Sequence, residues 1–324
     1  MGLQYASSIQ TTPSYVHEST NLEFLDDIYV QLLEGSVENA LNELGYHLHE
    51  LYATTSVDEW EAVLQNYLLR HPIKELLMQD PLTYRSFTQP RGYAGDAVLI
   101  DMVYFPGRTD VSATSDIGKQ IYKYTTRTPL SRNLVKRMKT VAGYLDDVAG
   151  RVENPRILSV ASGHCRELEF AENFKAKSEY QFFALDHDSE SLNTATRDYG
   201  EFGIKALNNS ISDVIKGRLD LGKFDLIYAA GLYDYLGSRI AKRLTSEFFN
   251  MLTEGGKFVL MNINADYEEI GYMESYMNWS MIGRTKGETL ELASEVESSE
   301  SANIVVQDRA DISSHYHILE ISRN

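Results

Sequence analysis

The chain has 324 residues, 43% of them hydrophobic, enough for one large core or two ordinary ones, with no apolar run of the ~20 residues that spans a membrane and no basic-then-apolar start of a secretion signal. The net charge of −17 is weighted to the front, where the first 69 residues hold 11 Asp and Glu and no Lys or Arg; such a surface repels phosphate backbones and anionic lipid, so neither nucleic acid nor membrane is an expected partner. The one cysteine, Cys165, cannot close an internal disulfide, which fits a reducing compartment and makes the cytoplasm the expected location.

Residues 1–20 read as irregular and polar. Amphipathic helices follow. Leu22, Leu25, Ile28, Tyr29, Leu32 and Leu33 fall at helical spacing, as do Val37, Ala40, Leu41, Leu44, Leu48 and Leu51. Ser56 with Glu59 has the form of a capping box ahead of Trp60, Val63, Leu64 and Tyr67. Residues 80–115 read as less regular, punctuated by Pro81, Pro90, Gly92, Gly95, Pro106 and Gly107. Thr128-Pro129 is an N-cap with proline at the first helical position, opening a long helix through Leu145. The region from Lys119 to Lys139 is the one notably basic stretch.

From Arg156 the rhythm changes. Short apolar runs at 157–160, 181–185, 205–207, 224–229 and 257–263 alternate with helix-like segments. That alternation predicts parallel strands joined by crossover helices, an α/β sheet covered on both faces. Two later runs, 303–307 and 316–321, have too short a link for a crossover helix and should pair antiparallel. The expected division is a helical substrate or lid domain over 1–150 and a ligand-binding α/β domain over 151–324.

The first strand ends in Val160, Ala161, Ser162, Gly163, His164 and Cys165. Small residues at a strand-to-helix turn let a ligand approach the backbone, and ligands of open parallel sheets sit at the carboxyl ends of the strands. The second strand ends in Asp186, His187 and Asp188, with Asp186 23 residues after Gly163. A carboxylate there can accept both hydroxyls of a ribose. The chain lacks G-x-G-x-x-G, because Ala161 and Cys165 stand at the flanking positions. A ligand without a pyrophosphate therefore suits the turn better than a dinucleotide.

The runs ILSVASGHCREL, FFALDHD, FDLIYAAGLYDYL and GGKFVLMNI resemble the successive motifs of the class I S-adenosylmethionine-dependent methyltransferases, over about residues 156–324. The resemblance implies a Rossmann-like seven-stranded sheet with its last strand reversed and S-adenosylmethionine as cofactor. It implies that Ala161, Ser162 and Gly163 line the methionine part, that Asp186 holds the ribose and that His187 packs beside the adenine. It also places Asn209 and Ser210 at the adenine edge, and Ala230 and Gly231 under the sulfonium. Two positions depart from the family pattern: Ser159 stands where an acid is usual, and Cys165 replaces a glycine.

Gln89 to Asp96 puts an arginine, an aromatic ring and a carboxylate on a loop with two glycines. Arg91, Tyr93 and Asp96 are thus candidates for a functional loop, although Asp96 could equally cap the next helix. RGYAGD, with the 128–132 helix start, Met277-Asn278-Trp279 and Arg284, resembles a bacterial methyltransferase subgroup with a helical N-terminal extension. Some of its members are associated with methyl esters of hydroxy fatty acids. On that resemblance Tyr93 and Asp96 would close over the cofactor.

Methyl transfer needs an acceptor held about 3 Å from the methyl group, and a base only when the acceptor must lose a proton. No base is evident; His164, Tyr233 and Asp234 are candidates by position alone. This suits methylation of a small molecule at oxygen, on a carboxylate or hydroxyl. Arg91, Arg132 and Arg284 can pair with an acidic acceptor, and Tyr267, Tyr272 and Trp279 belong to an aromatic and methionine stripe fit for a substrate wall. The alternatives are transfer to nitrogen, a non-catalytic cofactor-binding interaction protein, and an aminopropyl transferase, for which no acidic pair is placed to hold a polyamine. A homodimer is compatible with the sequence. Neither Cys165, lacking His and Asn partners, nor the pairs His47/His49 and His315/His317, lacking a carboxylate cluster, suggests a nucleophile or a metal.

Overall fold

The computed structural model describes residues 22–296, 301–307 and 315–324; the irregular reading of 1–20 lies outside them. Eight helices come first: α1 (Phe24–Leu33), α2 (Val37–Thr54), α3 (Val57–Asn66), α4 (Ile73–Leu77), α5 (Pro81–Thr88), α6 (Ala97–Tyr104), α7 (Asp116–Thr125) and α8 (Pro129–Arg151). Ser56 and Glu59 form the expected reciprocal cap of α3, and Thr128 accepts the Ser131 amide to cap α8. Residues 80–115 are more helical than their punctuation suggests. Asp80 caps α5, whose first residue is Pro81, and Asp96 caps α6, so the prolines and glycines there mark helix ends. Leu25, Ile28, Leu44, Leu48, Trp60 and Leu68 build a core of their own within this helical part.

The sheet contains β1 (Arg156–Val160), β2 (Gln181–Asp186), β3 (Lys205–Asn208), β4 (Phe224–Ala229), β5 (Leu252–Ile263), β6 (Ala302–Gln307) and β7 (Tyr316–Arg323). Its order is β3-β2-β1-β4-β5-β7-β6. The first five strands are parallel, and β7 lies antiparallel to both β5 and β6. Side chains alternate across the faces: Ile157, Phe182 and Ala184 join the core under α8, while Leu158, Phe183 and Leu185 face α12 (Ser238–Asn250). Other crossovers carry α9 (Glu172–Lys175), α10 (Ser189–Tyr199) and α11 (Ile211–Ile215); α13 (Ile270–Tyr276) and α14 (Lys286–Glu291) follow β5. The strand order reverses between β1 and β4, which opens a crevice at their carboxyl ends. No helix among the described residues is long and apolar enough to cross a membrane.

Candidate functional site

A cavity of about 650 Å³ occupies that crevice. Its floor is the turns after β1, β2 and β4: Ala161 to Glu167, Asp186 with His187, and Ala230 with Gly231. Its roof is two helices. Ala97, Ile100, Asp101 and Tyr104 face it from α6, and Leu130, Leu134 and Arg137 from α8, both sets at the spacing of one helix face. Trp279, Met273 and Met281 form a wall.

The turn after β1 is held by local geometry. Ala161, Gly163 and Cys165 all have positive φ, near 50°. A side chain at Gly163 would meet the Ala97 methyl at 3.3 Å, so α6 lies directly against the loop. The Gly163 amide donates to Asp186 Oδ2 at 2.8 Å, and the Asp188 amide to Oδ1 at 2.9 Å. A carboxylate has about four acceptor positions, so two remain for ligand hydroxyls. On the resemblance to the S-adenosylmethionine-dependent methyltransferases, Asp186→Ala is expected to weaken S-adenosylhomocysteine binding by about 1–3 kcal/mol, through lost ligand bonds and a released loop. Calorimetry on the variant tests this, and unchanged affinity would remove Asp186 from the site.

The RGYAGD segment is docked beside this end of the cavity. Arg91 donates to Asp188 at 2.8 Å and Ser191 at 2.9 Å, and pairs with Glu190 at 3.3 Å. It is therefore committed to the start of α10 and does not line the cavity. Tyr93 does line it; its ring lies 5.2 Å from His187 and its hydroxyl donates to Asp188. Asp96 receives the Leu99 amide and a two-pronged bond from Arg85 at 2.8 and 2.9 Å, and it is not among the residues that line the cavity. Gly95 has φ +68°, and a Cβ there would stand 2.5 Å from the Trp279 ring. The glycine is what allows loop and wall to meet.

At the other side a buried charge cluster faces Gly231. The Arg137 side chain, 8% exposed, lines the cavity, and its Nη1 stands 3.9 Å from Asp234 Oδ2. Its guanidinium lies 5.0 Å over the Tyr316 ring and bonds the Tyr104 hydroxyl. The Arg137 Nε has no hydrogen-bond partner. Asp234 accepts the Ile263 amide at 2.7 Å. Burial pushes its carboxyl up to about 7, against the lowering effects of Arg137, the Ile263 amide and Arg284. Arg137 and Arg284 thus both act on the Asp234 carboxyl, and Arg137 acts on the buried Glu167 as well. Glu167 also lines the cavity, bonded by Tyr228, and burial raises it toward its neutral form.

Several expected contacts lie elsewhere. Arg284 is buried and spends its guanidinium on the Tyr233 and Leu236 carbonyls and Asn262. Tyr233 turns its hydroxyl to Thr245 of α12, on the far face of the sheet. Arg132 and Tyr272 line a separate groove of about 930 Å³ between α2, α7 and the start of α8. Tyr267 is buried outside the cavity lining. Neither Asn209 nor Ser210 reaches the cavity; Ser210 caps α11 with Asp213. Asp234, His164 and Trp279 do line it. His164 Nδ1 is 2.8 Å from Asp101 Oδ2, a pairing invisible in the sequence. Arg137 was also missed there, though a lone arginine on the apolar stripe of α8, between Leu134 and Val141, is a readable signal.

Three buried atoms without hydrogen-bond partners, Ser162 Oγ, His164 Nε2 and Arg137 Nε, belong to cavity-lining residues. Orphaned polar groups of this kind ask for a ligand. The first two flank Gly163 and, with Asp186, fit a nucleoside carrying a polar tail.

The sheet order and its single reversed strand define the Rossmann-like methyltransferase fold. The chain shares that fold with a candidate methyltransferase from Thermobifida fusca YX, at 12% identity and a TM-score of 0.52, covering 78% of this chain and 98% of that one. A possible exported protein from Bordetella parapertussis gives the same TM-score at 14% identity, covering 93% and 96%. No family model matches the chain, and no curated protein matches it in sequence.

Proposed function

We propose that the protein is an S-adenosylmethionine-dependent methyltransferase acting at oxygen on a small, partly apolar acid. The observation that carries the acid is Arg137: a buried guanidinium that lines the cavity beside Gly231 and keeps an Nε–H without a hydrogen-bond partner. A buried donor left unpaired is costly, and an acceptor carboxylate supplies the partner. Guanidinium geometry suits a carboxylate in two-pronged contact. Residues 1–150 act as the roof and acceptor side, and 151–324 as the cofactor side.

When bound, S-adenosylmethionine supplies an electrophilic methyl group. Asp186 would hold its ribose, Tyr93 and His187 would flank its base, and the 161–164 turn would hold its amino-acid tail. Arg137 aligns the acceptor carboxylate, which is already ionised and needs no base. Leu130, Leu134, Met273, Met281 and Trp279 exclude water and cover the apolar body of the acceptor. The likeness of RGYAGD to a subgroup associated with methyl esters of hydroxy fatty acids agrees with an apolar acid.

Incubation with labelled S-adenosylmethionine and a panel of aliphatic and aromatic acids, each beside its amide and alcohol, tests this reading. Label is expected in methyl esters of the acids. Label confined to alcohols, amines, RNA or protein would sink the acid reading.

A further inference from the structure

Asp234 and an acid acceptor would share one guanidinium. The Asp234 side chain is 2% exposed; its Oδ2 stands 3.9 Å from Arg137 Nη1, and its Oδ1 accepts the Ile263 amide. Both residues line the cavity, and the unpartnered Nε is the open edge of the Arg137 group. A carboxylate bound at that edge has Asp234 on the opposite side of the same guanidinium. Two buried anions so close repel, and the repulsion favours a proton on one of them. The surroundings make Asp234 the place for it. Arg137 faces it from α8, and Arg284 adds a weaker pull, with its guanidinium spent on the Tyr233 and Leu236 carbonyls and Asn262. Tyr235 beside it, Tyr267 after β5 and Tyr316 on β7 are phenols that burial pushes up, so they stay protonated. Glu167, on the turn after β1, also lies near Arg137 but already holds the Tyr228 hydroxyl. Burial pushes the Asp234 carboxyl up to about 7, and a second carboxylate on Arg137 pushes it further.

We propose that Asp234 takes up a proton when the acid acceptor binds Arg137 and returns it when the methyl ester leaves, which makes it the residue that separates substrate from product. This rests on the acid reading above. The charges balance. The acid enters as its anion, and one proton comes from solvent to Asp234. The carboxylate oxygen forms its bond to the methyl group as the sulfur–methyl bond breaks, with that electron pair left on sulfur. The ester is neutral, so Asp234 gives its proton back to solvent, regains its charge and draws on Arg137 again, which favours release. The sign follows from linkage: acid affinity is complete below the carboxyl's own value of about 7 and falls about tenfold per pH unit above it.

The test is calorimetry at pH 8 on protein loaded with S-adenosylhomocysteine, in phosphate and in Tris, whose ionisation enthalpies differ. The probes are the panel acid that takes most label and its methyl ester. The unaltered protein is expected to take up about 0.5–1 proton per acid bound and none per ester. Asp234→Asn keeps an acceptor for the Ile263 amide and mimics the protonated carboxyl. It should take up no proton and bind the acid about tenfold more tightly at pH 8, with no further pH dependence. Ester affinity within about twofold of the parent shows that the variant is folded. Glu167→Gln should keep the uptake. The fall of acid affinity between pH 7 and 9 in the unaltered protein is a second readout that needs no variant. Uptake that persists in Asp234→Asn, or is lost only in Glu167→Gln, would overturn the assignment. Acid binding with no proton uptake refutes this inference alone; a panel in which no acid is methylated or bound refutes the acid reading with it.

Discussion

Arg137→Lys is expected to lower kcat/KM for the acid acceptor about 100-fold, or roughly 2.7 kcal/mol, with S-adenosylhomocysteine affinity within about twofold of the parent. Lysine keeps the charge that Asp234 faces, so the cluster is not left with an unpaired anion. It loses the planar fork that can grip two carboxylate oxygens, and with it the stacking over Tyr316. The loss should fall mainly on acids, because neutral acceptors draw nothing from the fork. Steady-state kinetics with an acid and its matched alcohol separate the outcomes. A fall shared equally by both, or confined to cofactor affinity, would remove Arg137 from acceptor binding.

Asp96→Ala should act on stability instead. Asp96 is 2% exposed and serves α6 as its cap while holding Arg85 through both oxygens. Its removal costs a cap, about 1 kcal/mol, and strands the Arg85 guanidinium. That side chain keeps 23% exposure, so water offsets part of the penalty, and a total of about 3 kcal/mol is reasonable. For a chain of this size that corresponds to a fall in Tm of roughly 4–5 °C. Asp96→Asn should recover about a third of it by keeping the cap. A variant that melts like the parent yet binds S-adenosylhomocysteine tenfold less tightly would make Asp96 a cofactor contact after all.

The contrast between Asp96 and Arg137 shows how far the amino-acid pattern reaches. The strands, their parallel sense and the reversal of the last pair follow from runs such as 181–185 and 224–229 and from the lengths between them. The Ser56–Glu59 box and the Thr128-Pro129 start are equally local, because a cap needs only its own first turn. The turn at Ala161 to Gly163 and the acid at Asp186 were legible for the same reason: each closes a strand whose period already sets its place. What the pattern could not decide was which of several arginines and acids would share a cavity. Arg91, Arg132 and Arg284 look as suitable as Arg137 in one dimension. The first is bound to α10, the second faces another groove, and the third is spent on main-chain carbonyls. His164 meets Asp101 across 63 residues, through the docking of α6 on the β1 turn. Local periodicity fixes the face on which a side chain stands, whereas its partner is set by how helices cross the ends of the strands, and only the tertiary packing specifies that crossing.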